Sequence, residues 1–144
     1  QEAFLIKNRQ KQGLSMATAD KKGVIKLQRA IKKQELIGIL PDQDPGEEGG
    51  VLAPFFGTNA RSMTLLAKLA RKNQAKVLLT WALRLPKGRG YELHLKPVDI
   101  LSEQGLIEQD VTLMNKVIED LVITQPEQYL WNYKRFKSVV DYSS

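Results

Sequence analysis

The sequence predicts an α/β fold in which a mixed, largely parallel sheet is flanked by helices, and two segments carry this prediction. Residues 14–40 are typical of a strand–helix–strand unit with short connections, which is the pattern of a right-handed parallel crossover. Residues 75–85 alternate between a wholly apolar face and a mixed face, as a strand with one buried side does. A turn at 86–90 then returns the chain as a hairpin partner over 91–96.

Composition excludes several kinds of site. The 144 residues are 42% hydrophobic and 26% charged, which is typical of a globular domain with a core of its own. The absence of cysteine excludes disulfides and thiolate chemistry, and the single histidine excludes a multi-histidine metal centre. We expect no metal site and no cofactor. No apolar run approaches the eighteen residues of a membrane span.

The net charge of +6 is unevenly placed along the chain. Residues 1–40 carry +6 and residues 59–99 carry +7, whereas residues 41–58 carry −4 and residues 100–144 carry −3. An acidic loop therefore lies between two basic segments. Basic surface attracts anionic partners, and the charge alone leaves open whether these are nucleic acid, lipid head groups or an acidic protein.

The N-terminal part should contain two helices separated by a short strand. We expect a helix over 1–12 that stops at Gly13, a strand over 14–19, and a helix over 21–34 capped by Asp20. The exposed side of this second helix would be strongly basic, with Lys21, Lys22, Lys26, Arg29, Lys32 and Lys33. Such a run is usually only solvated, but the lack of any acid among these bases favours an anion-facing surface.

The central stretch, 36–57, reads LIGILPDQDPGEEGGVLAPFFG. The short apolar run 36–40 is typical of a buried strand, and it ends at the polar group Asp42, Gln43 and Asp44. Open α/β sheets bind ligands where strands end in this way. A solvated turn within a long loop, 41–58, is an equally good interpretation of the residues alone.

Three further helices are predicted in the second half. The first is capped by Thr58 or Asn59 and runs to about Asn73, the second is capped by Asp110 and runs to about Thr124, and the third spans 126–137. The last of these, PEQYLWNYKRFK, interleaves aromatic and basic residues. It could stack on nucleic-acid bases or lie at a lipid interface. We favour a terminal helix that docks its aromatic rings on the sheet.

His94 and Asp99 spell H-x-x-x-x-D, the spacing of a catalytic base and its supporting carboxylate in many acyltransferases. Here His94 falls in the middle of a predicted strand, and Pro97 interrupts the path to Asp99. Residues five apart on a strand point to opposite faces and lie roughly 16 Å apart. We therefore interpret the pair as a coincidence and expect no catalytic residue in this chain.

Two motifs together resemble the bacterial lipid A biosynthesis acyltransferases, the lauroyl/myristoyl acyltransferase family. They are LPDQDPG followed by GVLAPFFG at 50–57, and PEQYLWNYKRFK at 126–137. The segments TNARSMTLLAKLA and RLPKGRGY between them agree with this resemblance, which covers nearly the whole chain.

The resemblance implies a fold of the glycerolipid-acyltransferase type and attachment to the cytoplasmic face of the bacterial inner membrane. Family members move a fatty acyl chain from acyl carrier protein to a hydroxyl of a Kdo-lipid A precursor. Their membrane helix and H-x-x-x-x-E or D pair precede the region that resembles this chain. Residues 1–144 would thus be the C-terminal portion of one acyltransferase domain, inactive alone, with acyl carrier protein, the lipid A precursor and an anionic membrane surface as partners, and no nucleic acid.

The resemblance also suggests which residues bind or support the substrate. Asp42 takes the place of the carboxylate in the family's P-D-x-D-x-G motif, with Gln43 and Asp44 beside it. Arg9 matches a basic residue in the helix before the first strand, and Arg135 falls in the terminal R-F-K motif. A phosphatidylinositol mannoside acyltransferase relative is one alternative. A non-catalytic basic domain that binds lipid surfaces or nucleic acid is the other.

Overall fold

A computed structural model describes residues 13–142, which fall into two compact units that divide after Gly38. The predicted helix over 1–12, together with Arg9, lies outside the described residues. The first unit contains helix α1, Lys21–Lys32. The second contains β1 (Gly50–Phe55), β2 (Thr58–Met63), α2 (Leu65–Asn73), β3 (Val77–Arg84), β4 (Tyr91–Val98) and α3 (Ile107–Thr124). Single 3₁₀ turns occupy Pro86–Gly88 and Pro126–Gln128.

The first unit confirms the predicted helix and corrects the strand before it. Asp20 caps α1, since its Oδ1 accepts a hydrogen bond from the Gly23 backbone amide at 2.8 Å. Residues 14–18 have no regular secondary structure and run against the helix instead. The backbone of Thr18 approaches Gly23 so closely that a Cβ there would collide with it, and Lys26 donates to the carbonyl of Met16.

The predicted strand over 36–40 is also wrong. No strand is assigned to these residues, and Leu36 is 92% exposed. A strand must pair its backbone amides and carbonyls with a neighbour, and neither ladder in the described residues includes this segment. The apolar run alone therefore does not make it a strand.

A hairpin that the sequence did not predict begins the second unit. Strands β1 and β2 pair antiparallel through a two-residue turn at Phe56 and Gly57, both with positive φ, +48° and +75°. Two left-handed residues are the geometry of a type I′ turn, which matches the twist of paired strands. The hairpin replaces the second half of the predicted loop 41–58 and the first turn of the predicted helix, which begins only at Leu65.

The second hairpin and the long helix are both present as predicted from the sequence. Strand β3 pairs antiparallel with β4, with Trp81 opposite His94 in the register. Helix α3 begins at Ile107, so Asp110 lies within its first turn and the prediction that Asp110 caps this helix is wrong. Both ladders in residues 13–142 are antiparallel, and each joins only two strands. These residues contain no parallel pair, and the largely parallel sheet of a glycerolipid-acyltransferase-like fold stays a prediction.

Residues 129–142 follow an irregular path, and the predicted helix over 126–137 is wrong beyond its first turn. Three side chains of this segment, Tyr133, Arg135 and Ser138, bond to the body of the unit. Tyr133 and Arg135 are two residues apart, and side chains at that spacing do not face the same side of an α-helix. An irregular backbone is what lets all three reach inward.

The core of the second unit forms where α3 packs on the β1–β2 hairpin. Its buried members are apolar: Ala53, Phe55, Ala60, Ile100, Val111, Met114, Ile118 and Val122. Glu119 of α3 also accepts a hydrogen bond from the Phe56 backbone amide at 2.8 Å, which ties the tight turn to the helix. None of the helices between residues 13 and 142 has both the length and the apolar character that a membrane crossing needs.

A buried carboxylate fixes the start of α3. Asp110 is fully buried and receives two hydrogen bonds from Arg71 of α2, at 2.6 and 2.8 Å, and two from the amide and hydroxyl of Ser102. Burial disfavours the charged form, but the bonds from Arg71 and Ser102 outweigh it and hold the pKa of Asp110 below its ordinary value of 3.8.

Replacing Asp110 by Asn should lower the free energy of unfolding by about 2 kcal/mol at neutral pH, because the buried side chain loses the charge that strengthens its hydrogen bonds from Arg71 and Ser102. The contribution of Asp110 is complete above the unfolded pKa of about 3.9 and is lost as the pH falls through the lower folded pKa. Urea denaturation of both proteins between pH 2 and 7 would measure this.

Asp120→Asn is the matched control, since Asp120 is mostly exposed and pairs only with Lys116 one turn away. Equal stability losses for the two variants, or a difference that did not shrink in acid, would contradict the role given to Asp110.

Candidate functional site

Two segments far apart in sequence, 41–46 and 129–138, meet on one side of the β1–β2 hairpin. Asp44 joins them: its amide donates to the Tyr133 hydroxyl at 2.9 Å, and its Oδ2 accepts from the Ser138 hydroxyl at 2.5 Å. The other carboxylate oxygen accepts from the Gly46 amide at 2.8 Å, which closes a turn. Asp44 is only 8% exposed. It therefore connects segments 41–46 and 129–138 structurally and is not a solvated surface charge.

Arg135 anchors the same segment to β2. It is 4% exposed. Its Nη1 donates to the Arg61 carbonyl and its Nη2 to the Ser62 hydroxyl, both at 2.6 Å, and the guanidinium lies 5.1 Å from the centre of the Phe55 ring. Both terminal nitrogens are thus engaged with the protein itself.

Charge compensation keeps these groups ionised. Burial opposes the charge on Asp44, but hydrogen bonds from Ser138 and Gly46 and the positive charges of Lys137 and Arg135 hold its pKa below the ordinary range. Burial lowers the pKa of Arg135, and nearby acidic groups including Asp44 oppose that effect. Arginine nonetheless remains protonated at any physiological pH.

Asp42 lies beside Tyr129. Burial, together with the negative charge of Asp42 and a hydrogen bond to it, raises the pKa of the Tyr129 phenol to about 12. The phenol therefore keeps its proton at neutral pH and acts as a donor toward the carboxylate. Asp42 is half-buried, so part of its carboxylate stays accessible to another hydrogen-bond donor.

A series of buried hydrogen bonds leads from Arg135 toward the core. The Ser62 hydroxyl accepts from Arg135 and from Asn115 Nδ2 of α3, which lies 3.0 Å away, and Asn115 also donates to the Pro54 carbonyl at 2.8 Å. Ser62 and Asn115 are both fully buried. These hydrogen bonds connect the site to the core of the second unit.

An aromatic cavity of about 220 Å³ adjoins this cluster. For comparison, an apolar protein cavity of about 150 Å³ takes up benzene. It is lined by Phe55, Tyr129, Trp131, Tyr133, Arg135, Phe136 and Tyr142. In the described part of the chain, no group of three or more His, Asp or Glu side chains is arranged to hold a metal ion.

The sequence-predicted residues are placed as follows. Asp42, Asp44 and Arg135 come together, Gln43 is exposed between the two carboxylates, and Arg9 is outside the described residues. Their roles toward a substrate stay predictions. The residues that sequence reasoning missed are Ser62, Asn115, Tyr129, Tyr133 and Ser138. Two signals were available: Asn115 is a polar residue among the apolar positions of α3, and Tyr129 and Tyr133 lie in the motif 126–137, whose aromatic rings were expected to dock inward.

His94 and Asp99 have separate partners. The imidazole of His94 stacks on Trp81 with ring centres 4.8 Å apart, and its Nε2 is 3.1 Å from the Glu92 carboxylate. Asp99 instead accepts a hydrogen bond from the Leu101 amide at 3.2 Å. These contacts accord with interpreting the H-x-x-x-x-D spacing as a coincidence.

Comparison with known proteins identifies relatives along most of the chain. Residues 2–138 match the family described as bacterial lipid A biosynthesis acyltransferase. The chain is 36% identical over 120 residues to a lipid A biosynthesis lauroyltransferase of Escherichia coli (strain K12), covering 83% of the chain and 38% of that enzyme. It is 36% identical over 110 residues to a palmitoleoyltransferase of the same organism, covering 76% of the chain and 36% of the relative.

A lipid A biosynthesis acyltransferase of Haemophilus influenzae is 35% identical over 101 residues, which cover 70% of the chain and 31% of the relative. The chain thus spans little more than a third of the length of the curated relatives that it matches.

Replacing Arg135 by Ala should lower the free energy of unfolding by about 3 kcal/mol, because it removes a large buried side chain and its charged hydrogen bonds to the Arg61 carbonyl and the Ser62 hydroxyl. Arg135→Lys should recover part of this loss, since one ammonium cannot bond both acceptors at once. Urea denaturation measures both.

Lys134→Ala removes an exposed charge next to Arg135 in the sequence and is the control, with little expected change. If Arg135→Ala proved no less stable than Lys134→Ala, the anchoring role of Arg135 would be wrong.

Proposed function

The chain belongs to the bacterial lipid A biosynthesis acyltransferase family, and we propose that it is part of an enzyme that transfers a fatty acyl chain from acyl carrier protein to a hydroxyl of a Kdo-lipid A precursor. The observation that carries this proposal is the meeting of Asp42, Asp44 and Arg135 in one cluster. These residues come from the two sequence motifs that resemble the family. Residues from separate motifs that converge beside a cavity are what a binding site requires.

In the proposed reaction, the acceptor hydroxyl oxygen attacks the thioester carbonyl carbon. The carbon–sulfur bond then breaks, and the carrier thiol leaves with the proton that the hydroxyl has lost. Such a step needs a general base and donors for the developing oxyanion. We assign neither to residues 13–142, and we expect these 144 residues to be inactive alone, because the single histidine does not face Asp99.

The contribution of this chain would be to hold the acceptor. Asp42 has an accessible carboxylate that can accept a hydrogen bond from a sugar hydroxyl. Tyr129 donates to the same carboxylate and fixes its orientation. Arg135, which falls in the terminal motif, would support the site rather than bind the acceptor directly, since both its terminal nitrogens donate to β2.

The acyl donor would dock on α1. Its six basic side chains, Lys21, Lys22, Lys26, Arg29, Lys32 and the following Lys33, are all exposed. Acyl carrier protein is acidic, so a surface of this charge would accelerate and strengthen its binding. A location at the cytoplasmic face of the inner membrane, where the carrier and the lipid acceptor would meet, is part of the same proposal.

Replacing Asp42 by Asn in the complete enzyme should reduce acyl transfer by roughly ten- to a hundredfold, the range typical of losing one positioned charged hydrogen-bond acceptor. The measurement is transfer of radiolabelled acyl chain to the acceptor lipid. Glu48→Gln changes an exposed carboxylate in the same acidic loop and should leave the rate unchanged. Unaltered transfer by the Asp42 variant would exclude its proposed role.

Reversing the charge of Lys22, Lys26 and Arg29 to Glu should weaken binding of acyl carrier protein by at least about tenfold at low salt, with a smaller difference at high salt. Fluorescence anisotropy of labelled carrier measures this. A triple reversal at Lys68, Lys72 and Lys76, which are also exposed, changes the net charge equally. Equal weakening by both triples would mean that only total charge matters and that α1 is not the docking surface.

A further inference from the structure

We propose that the apolar side chains left exposed on residues 130–142, together with Phe56, form a surface that binds the interface of an anionic lipid bilayer. This surface is called the C-terminal apolar patch below, and it consists of Phe56, Leu130, Trp131, Val139, Val140 and Tyr142. The inference rests on the proposed membrane location and adds which surface of this chain would touch the lipid.

The patch is the outward side of a segment that also packs inward. Arg135 is buried in the site, and the Tyr133 hydroxyl accepts from the Asp44 amide. Phe136 packs against the core. In contrast, Leu130 is 64% exposed and Trp131 is 56% exposed. Large apolar groups that remain exposed together, rather than singly, indicate an interaction surface.

The aromatic members of the patch are near one another. The rings of Phe56 and Trp131 are 5.9 Å apart, and Trp131 and Tyr142 line the same cavity. The Nζ atom of Lys134 lies 5.4 Å from the centre of the Tyr142 ring. The indole NH of Trp131 donates to the Pro126 carbonyl at 2.6 Å, so the ring is held in place before any partner arrives.

Charge favours an anionic bilayer over a neutral one. Residues 129–142 carry Lys134, Arg135 and Lys137 against a single acid, Asp141, and both lysines are exposed. Aromatic rings beside lysines are the composition of membrane-interface segments, where the rings enter the head-group region and the cations meet lipid phosphates.

The side chains of the C-terminal apolar patch also favour lipid over nucleic acid as its ligand. Tryptophan and tyrosine could stack on bases, but the aliphatic side chains of Leu130, Val139 and Val140 offer no such contact. Aliphatic groups gain free energy by leaving water for acyl chains. The mixture of aliphatic and aromatic groups therefore favours a bilayer as the occupant.

The chain contains two tryptophans, which allows a direct test. Trp81 is stacked on His94 in the second hairpin, so Trp81→Phe leaves Trp131 as the single reporter. Vesicles rich in phosphatidylglycerol should shift its emission to the blue, and brominated acyl chains should quench it. Phosphatidylcholine vesicles should bind at least about tenfold more weakly, and Lys134→Glu with Lys137→Glu should remove that difference.

The chain also offers a matched pair of variants. Leu130→Ser with Val140→Ser should weaken vesicle binding at least about tenfold. Leu93→Ser with Leu95→Ser, on a separate exposed face of β4, should not change it. Urea denaturation of each variant verifies that it is folded.

Several outcomes would overturn the proposal: an unshifted Trp131 emission, a larger loss for the β4 pair than for the patch pair, or protection of the patch by RNA or by self-association instead of lipid. Transfer to a detergent-solubilised acceptor by the complete enzyme should be unaffected by the Leu130 and Val140 changes. If the unmutated complete enzyme bound vesicles but transferred no acyl chain, the proposed function would be wrong and this surface would not.

Discussion

The burial of the Arg135 guanidinium is the constraint on which the candidate site depends. Removing an ionised group from water costs several kcal/mol unless charges and hydrogen bonds compensate it. Here the compensation comes from three groups: the carbonyl of Arg61, the hydroxyl of Ser62, and the carboxylate of Asp44. The first two belong to β2 and the third to the loop before β1, so Arg135 fixes that loop and its own segment against the hairpin. The irregular C-terminal segment is ordered as a consequence.

This arrangement determines which chemistry the site can support. Two carboxylates, Asp42 and Asp44, adjoin one guanidinium, with the Lys137 charge also near Asp44. The Tyr129 phenol, whose pKa burial raises to about 12, is uncharged at neutral pH as an ordinary phenol is. The net charge of the groups around Asp42 is therefore not positive. A carboxylate accepts hydrogen bonds from hydroxyl groups and repels phosphate. A hydroxyl-bearing sugar fits Asp42 better than a phosphate does, and anionic groups of a substrate would need basic residues elsewhere.

The sequence predicted those elements whose evidence is local. Helix α1 has its Asp20 cap, helix α3 has a broad apolar stripe, and β3 alternates visibly. The β1–β2 hairpin was missed because its turn is Phe56-Gly57, not one of the Asn-Gly or Asp-Gly pairs that usually mark a type I′ turn. The strand predicted over 36–40 was wrong for the opposite reason. A short apolar segment has the pattern of a buried strand whether or not a partner strand pairs with it.

The same distinction explains what could be known of the site. The motifs identified Asp42, Asp44 and Arg135 as site residues. They did not show which side chains bond to these three. Ser138 and Asp44 are 94 positions apart, and Tyr133 and Asp44 are 89 apart. No periodicity in one sequence reports such pairs, because they depend on how the whole unit packs. Nor could spacing show that the segment 126–137 would leave the helical path.

That departure from a helix gives the C-terminal segment two distinct surfaces. An amphipathic helix would bury one continuous stripe and leave aromatic and basic residues mixed on the other. The irregular path instead buries Arg135 while Leu130 and Trp131 point away. The backbone can follow this path because side-chain bonds to Asp44, Arg61 and Ser62 replace the helical ladder in holding the segment. The interaction that assembles the site is thus also the one that keeps the apolar patch exposed.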